Sequence, residues 1–321
     1  MEINDEIYGK TIITEPVLIE LINSRPVQRL KGITQKALHF CRPDDLITRY
    51  GHSVGVMILL NKFGASVEEQ IAGLLHDVPH TAFSHVADSV FENNEQEFHE
   101  EFHEKIIRES EIPSILGRYG YDLNRILDIS NFQLLEKKIP ELCADRIDYL
   151  LRDMSVYMKK GKEYLPHLRV SNNQILVDNK KVAIDLAYDY LNMDKEVYAR
   201  NLSSTVYWVL SQAIKIAMKN SILTQEDLFK DDNYVYNKLK GSGNAEILKY
   251  LNFLNPKLTV IENPLDYDFL LTEKKPRWID PCFFEENKIK RVSEVAPEFK
   301  TEVEAHKKRI MGNRFIKIIK Y

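Results

Sequence analysis

Four residues have the types that hold a catalytic metal ion: His52 in TRYGHSVGV, the adjacent pair His76 and Asp77 in LLHDVPHTAFSH, and Asp145 in LCADRIDYLLRD. Imidazole nitrogens mixed with carboxylates suit Mn, Fe, Zn, Ni or Mg rather than Ca, which takes an all-oxygen shell. Two His and two Asp leave positions open for water and a substrate oxygen, as a catalytic metal requires. Spacing alone is weak support. A lone His on an apolar helix is more often a hydrogen-bonded core residue, and a His-Asp dipeptide also arises by chance. The surroundings add weight. His76 and Asp77 follow Ile71, Leu74 and Leu75 at a helix end. Burying an ionisable pair there is costly unless something compensates, and a metal is one such thing. The histidines are also crowded: seven of nine lie between His39 and His103.

Ligands so far apart in the chain must be assembled by helices that meet in a bundle. TEPVLIELINS has Val17, Leu18, Leu21 and Ile22 at helical spacing, with Pro16 in the first turn. GHSVGVMILLNKFG is a dense apolar helix that stops at Gly64. SVEEQIAGLLHD opens with a capping box, Ser66 with Glu69, and ends near Pro79. EFHEEFHEKIIRES is predicted as a third helix and LLEKKIPELCADRIDYLLRDM as a fourth, with Pro140 at its start or at a kink. After Met158 the pattern alternates, and Asp178, Asn179 and Lys180 predict the turn of a β-hairpin near 174–185. Residues 185–220 return to helix, Gly241-Ser242-Gly243 reads as loop, and the tail mixes short strands with turns. The fold class expected is mainly α, a helical bundle over 1–220 with a smaller α+β part over 221–321 packed on it.

Composition sets outer bounds. The chain has 321 residues, 44% hydrophobic and 29% charged, which excludes collagen-like and disordered classes. Its net charge of -4 excludes a binder of polyanions by bulk attraction. Nucleic acid is therefore not indicated as a partner; KKPRW and HKKRI read as solvated surface. No apolar run approaches the roughly 18 residues of a membrane span. The acidic start MEINDEIYGK is neither a signal nor a transit peptide, and three scattered cysteines fit a reducing compartment. A cytoplasmic location is expected.

Taken together, His52, then His76-Asp77, then Asp145 resembles the H…HD…D signature of the HD-domain metal-dependent phosphohydrolases. The resemblance extends to the deoxynucleoside triphosphate triphosphohydrolase branch. It is carried by Val27-Gln28-Arg29-Leu30-Lys31, by Arg49 three residues before His52, and by HDVPHTAFSHVAD from His76 to Asp88. His99-Glu100, the segment from Asp145 to Asp153, and Arg200 through Val206-Tyr207 complete it, over roughly residues 14–215. Two departures stand out. Pro79 replaces the usual Gly, and Thr81-Ala82 replaces Gly-Pro. Pro lacks the N–H and the positive φ of Gly, so this turn must be built differently.

The resemblance implies an HD-type catalytic domain, with His52, His76, Asp77 and Asp145 as ligands of a divalent metal. It places His80, His85, Asp88 and His99 beside the metal as catalytic or supporting groups, with His85 as the general acid and Asp88 orienting an imidazole. It makes Gln28, Arg49 and Arg200 substrate contacts, gives Arg146 a phosphate, and gives Tyr149 and Asp153 the sugar. His103 is left without a role. Arg suits phosphate because its planar fork donates two parallel charged hydrogen bonds. The implied reaction is hydrolysis of a dNTP to deoxynucleoside and inorganic triphosphate, in a homo-oligomer, expected to be a dimer. Two other readings stay open: an HD phosphoesterase acting on a monophosphate or second messenger, and a nucleotide or nucleic-acid binding module without turnover.

Overall fold

The computed structural model describes residues 1–93, 98–271, 276–285 and 288–321. Its helices form where apolar residues recur three or four apart, and they begin at caps. Helix α1 (Pro16–Ile22) starts on its proline and buries Val17, Leu18, Leu21 and Ile22. After the short α2 (Arg25–Arg29) comes α3 (Arg49–Lys62), whose first turn is capped by Thr48 accepting the Gly51 N–H at 3.1 Å. Every residue of α3 from His52 to Leu60 is buried, which makes it the axis of the bundle. Helix α4 (Val67–Leu75) is capped by Ser66, which accepts the Glu69 N–H. The expected reciprocal half of the capping box is absent: Glu69 instead accepts the N–H groups of Leu134 and Leu135 at 2.6 and 3.1 Å.

Helices α5 (Val86–Val90), α6 (His103–Arg108), α7 (Ile112–Arg118) and α8 (Leu123–Leu127) are short. The predicted third helix is thus broken into a 3-10 turn at Glu100–Phe102 followed by α6, and its first residue, Glu97, lies outside the described residues. The predicted fourth helix begins later than expected, as α9 (Ala144–Tyr157), leaving Pro140 in the preceding loop. Then come α10 (Lys180–Met193), α11 (Asn201–Lys219), α12 (Asp232–Gly241), α13 (Ala245–Asn252), α14 (Val292–Val295) and α15 (Pro297–Ile310). A π-helical turn, Asp194–Tyr198, interrupts the long helix expected over 185–220.

The strands are peripheral. β1 (Glu2–Asp5) and β2 (Gly9–Ile12) form an N-terminal hairpin. β3 (Leu168–Ser171) and β4 (Gln174–Val177) form a second. β5 (Thr259–Glu262), β6 (Phe269–Leu271), β7 (Cys282–Glu285), β8 (Lys288–Arg291) and β9 (Arg314–Lys320) complete two sheets, ordered β3-β4-β7-β8 and β5-β9-β6. The second hairpin corrects the expectation of one near 174–185. Its turn is Asn172-Asn173, at φ 49° and 56°, the pair of positive φ values that a two-residue hairpin turn favours. Asn179 caps α10 instead, accepting the Val182 N–H at 3.1 Å. Lys274 and Lys275 of KKPRW lie outside the described residues. Among the described residues no helix is long and apolar enough to cross a membrane.

One cluster of buried apolar side chains runs from Ile7 to Val303. Around it α3 packs on both α4 and α9. The α3–α9 approach depends on Gly55: a Cβ there would lie 2.0 Å from Arg152 Nη2 and 2.1 Å from Asp148 Oδ1. Both are held in buried ion pairs and have little room to retreat. Gly55→Ala is expected to lower unfolding free energy by about 1–3 kcal/mol, read as a lower urea midpoint at unchanged slope.

Candidate metal centre

Three helices deliver the four expected ligands to one point. His52 stands in the first turn of α3, His76 caps the end of α4 with Asp77 next in the chain, and Asp145 lies in the first turn of α9. His52 Nε2 is 2.9 Å from Asp145 Oδ1 and 3.6 Å from Asp77 Oδ2. His76 Nε2 is 3.4 Å from Asp77 Oδ1 and 3.5 Å from Asp145 Oδ1. The far nitrogens are anchored. His76 Nδ1 donates to the Gly73 carbonyl at 2.7 Å, and His52 Nδ1 donates to Asp148 Oδ2 at 2.7 Å. With Nδ1 donating, each ring turns its Nε2 toward the carboxylates, where a metal ion can take the place of a proton. His76 Nε2 is buried and makes no hydrogen bond. An orphaned imidazole nitrogen beside two carboxylates fits a divalent cation.

Electrostatics point the same way. Burial opposes charge on His52, but Asp145, Asp148 and Asp77 outweigh it and push its pKa up to about 10. Burial likewise opposes charge on Asp77 and Asp145; Arg49 with His76 and His80 holds the first well below the usual carboxylate range, and His52 with His76 holds the second there. The carboxylates are thus held ionised, and the imidazoles beside them carry charge that a metal ion can replace.

The second group forms an adjoining wall. His80 and His99 stack with ring centres 3.8 Å apart, and His85 stands edge-on to both, at 5.1 and 5.5 Å. His80 Nε2 meets Asp77 Oδ1 at 3.1 Å, so this wall touches the ligand cluster directly. Asp88 accepts His85 Nδ1 at 3.0 Å and, on its other oxygen, the Phe98 N–H at 2.9 Å. Burial, with Arg49 and neighbouring imidazoles adding to it, lowers the pKa of His80 and His99, the latter to about 3; burial also lowers His85. All three rings are neutral near pH 7. Arg49 is pinned by Asp77 at 2.8 Å and Ser84 Oγ at 2.9 Å. His76, Asp77, Asp145 and the wall open into one cleft of about 1310 Å³, with His52 buried behind them.

The family model described as the HD domain matches residues 49–153, the segment that carries all four expected ligands. An uncharacterized protein, YdhJ of Bacillus subtilis, is 42% identical over 326 aligned residues and all of both chains. The metal-dependent phosphohydrolase cns2 of Cordyceps militaris is 35% identical over 64% of this chain and 63% of its own. The chain belongs to the HD-domain metal-dependent phosphohydrolases. A more distant relative is the deoxynucleoside triphosphate triphosphohydrolase SAMHD1 homolog of Dictyostelium discoideum, 23% identical over 66% of this chain and 48% of its own. A phosphohydrolase structure from Bacteroides thetaiotaomicron shares the fold, with TM-score 0.72 at 18% identity over 100% of this chain and 99% of its own.

Of the expected substrate contacts of this HD-domain protein, Arg49, Arg146, Tyr149 and Asp153 line the cleft. Tyr149 shares a hydroxyl hydrogen bond with Tyr190, and Asp153 holds Lys36 and accepts the Tyr198 hydroxyl at 2.8 Å. Arg146 is already committed. It donates to the Glu141 carbonyl at 2.6 Å, the Lys137 carbonyl at 3.0 Å and Glu136 at 3.3 Å, so it holds the loop before α9. Gln28 and Arg200 are not brought to the cleft. Gln28 donates to the Ile22 carbonyl at 2.6 Å and accepts Lys31 at 2.7 Å; Arg200 is exposed where α11 begins. The cleft also contains Lys36 and, from far along the chain, Arg277, which the sequence did not single out, and His103, which it left without a role. His103 begins α6 four residues after His99, beyond the 3-10 turn between them, and its Nε2 is buried without a hydrogen bond; that i, i+4 spacing was the available signal.

Pro79 fits because the left-handed residues fall elsewhere, at Phe83 (φ 60°) and Ser84 (φ 54°). Asp232 steadies them, accepting the Phe83 N–H at 2.6 Å and the Thr34 N–H and hydroxyl at 2.9 and 2.7 Å. Burial raises the Asp232 pKa from 3.8 to about 6 against these donors. The fold therefore binds this proton more tightly than the unfolded chain does. That stabilisation is complete below about 3.8 and lost as pH rises through about 6. Asp232→Asn is expected to flatten the corresponding fall in a pH series of melting temperatures. An unchanged pH profile would assign that fall to other groups.

Proposed function

We propose that this phosphohydrolase cleaves deoxynucleoside triphosphates to deoxynucleoside and inorganic triphosphate. The observation that carries this reading is the contact between two sets of groups in one cleft: the His52–His76–Asp77–Asp145 cluster and the neutral wall of His80, His85 and His99. The cleft volume of about 1310 Å³ exceeds the roughly 300–1,000 Å³ of ordinary small-molecule sites and has room for a nucleotide. The motifs shared with the triphosphohydrolase branch, and the distant match to a relative of that name, support the dNTP.

His52, His76, Asp77 and Asp145 are the ligands in this reading. A divalent ion bound there supplies a Lewis acid for a phosphoryl oxygen and lowers the pKa of the attacking water. The protein supplies the rest. Arg49, fixed by Asp77 and Ser84, presents its charge to the phosphates. Asp88 fixes the His85 ring by Nδ1. Burial keeps His85 neutral in the free protein, and the arriving triphosphate, being anionic, raises its pKa and loads the proton. As the water oxygen bonds the α-phosphorus and the bond to the 5′-oxygen breaks, His85 gives that proton to the leaving oxygen. His80 and His99, stacked on one another, stand beside it. Tyr149 and Asp153 face the sugar.

A second reading keeps the centre and changes the phosphoester. It is favoured by the commitment of Arg146 to its own loop and by the absence of Arg200 from the cleft, which together remove two of the three expected arginine contacts. It also agrees with the higher identity to a relative named only as a metal-dependent phosphohydrolase.

A metal-supplemented screen of nucleotides, with products resolved by phosphate-chain length, separates the two. Inorganic triphosphate is expected from dNTPs; orthophosphate or pyrophosphate as the product selects the second reading. In the same assay Asp145→Ala is expected to lose bound metal and more than about 100-fold of the rate. Unchanged metal content would remove Asp145 from the ligand set.

A further inference from the structure

We propose that the N-terminal hairpin is a working part of the metal centre, with Tyr8 and Asp5 as positioning residues that act on His52 through Asp148. The inference rests on His52 being a ligand. It concerns residues well before the matched segment 49–153.

The contacts form one continuous buried chain. Asp148 has no exposed surface. Its Oδ2 accepts His52 Nδ1 at 2.7 Å and Arg152 Nε at 2.8 Å. Its Oδ1 accepts the Tyr8 hydroxyl at 2.8 Å and Arg152 Nη2 at 3.1 Å. The same Arg152 Nη2 donates to Asp5 Oδ2 at 2.7 Å, and the other Asp5 oxygen accepts the N–H groups of Ile7 and Tyr8 at 2.8 and 3.0 Å. The hairpin therefore inserts its turn, with Asp5 at the end of β1, into the bundle. Two strands of four residues make a marginal hairpin by themselves, so these contacts also hold it in place.

Each bond has a directional consequence. A hydroxyl from Tyr8 and a guanidinium from Arg152 occupy the remaining lone pairs of Asp148, which leaves one orientation for accepting the His52 proton. That fixes the His52 proton on Nδ1, its ring plane, and the direction of its Nε2 toward Asp145. Carboxylates that bind the far side of a metal-ligating histidine tune affinity in this way. Gly55, three residues after His52, supplies the space: a Cβ there would lie 2.1 Å from Asp148 Oδ1. The bland alternative is that the hairpin only covers the core through Ile7, Tyr8 and Ile13. Tyr8→Phe distinguishes the two, because it keeps the ring and its burial and removes one hydroxyl.

The test measures Mn²⁺ affinity of the full chain by chelator competition, together with the melting temperature of the chelator-treated protein. Asp148→Asn is expected to weaken Mn²⁺ binding by about 10–100-fold, and Tyr8→Phe by several-fold, about 3–10. In the double variant the Tyr8 effect is expected to vanish, because its route to His52 is already cut. A purely covering role predicts a Tyr8→Phe protein with unchanged affinity, and that result overturns the proposal. Should Asp148→Asn fail to fold, Tyr8→Phe and Asp5→Asn decide the matter alone on the same readout. Asp145→Ala is the reference. If it leaves Mn²⁺ affinity intact, the ligand reading itself has failed. If it abolishes binding while Tyr8→Phe and Asp5→Asn change nothing, only the hairpin inference has.

Discussion

Four carboxylates, Asp77, Asp145, Asp148 and Asp153, sit buried or nearly so where three helices meet, and the bundle is arranged around compensating them. A buried carboxylate left alone costs several kcal/mol. Asp77 has Arg49, Asp148 has Arg152, and Asp153 has Lys36. Asp145 is met by imidazoles, His52 and His76, in place of a permanent cation. This difference matters. Guanidinium and ammonium groups stay charged, so the first three pairs are fixed. An imidazole can exchange its proton for a metal ion. Asp145 is met by exchangeable charge alone and Asp77 by Arg49 together with the same imidazoles; these are the two carboxylates that could share a divalent cation, and the Asp148 and Asp153 pairs hold the helices that surround them.

The turn after Asp77 obeys the same logic with backbone geometry in place of charge. A non-Gly residue at positive φ costs of order 1–3 kcal/mol, and here two stand in succession, Phe83 and Ser84. The surroundings over-determine them. Phe83 is fully buried and its N–H is taken by Asp232; Ser84 donates its hydroxyl to the Thr34 carbonyl at 2.7 Å and accepts Arg49. Ala82 donates its N–H to the Leu228 carbonyl at 2.8 Å. The segment between His80 and His85 is thus held by residues near 230, which is why a proline at 79 is tolerated there.

The same distinction between local and remote partners decides how much was legible in the sequence. His52, His76, Asp77 and Asp145 are set by helices whose apolar stripes and caps are local signals, and together they match a family pattern. The mainly α class comes from the same stripes. The failures share a physical cause. Asn172-Asn173 and Asp178-Asn179 are both turn-forming pairs, and whether an Asn turns a hairpin or caps a helix depends on the residues after it and on the surface they pack against. Both terminal nitrogens of Arg146 are taken by its own loop, through the Glu141 and Lys137 carbonyls, Cys143 and Glu136, before a ligand would reach them. Nothing in MEINDEIYGK marks Asp5 and Tyr8 as neighbours of Asp148, because the Tyr8–Asp148 contact spans 140 residues.

The far end of the cleft is where such long-range contacts accumulate. Asp194 accepts the Arg277 N–H at 3.1 Å and pairs with His306 at 2.8 Å, while the π-turn it begins carries Tyr198 onto Asp153. One buried carboxylate thereby joins α15, the approach to Arg277 and the wall of the cleft. A wall assembled this way can change with substitutions in the C-terminal region while the ligand helices stay as they are. The helices at the metal end are set by local stripes and caps, while this wall, like the contact of Tyr8 with Asp148, is set by remote partners. Under the proposed function, Lys36, Tyr198 and Arg277 are the cleft residues through which such remote changes would reach the phosphoester.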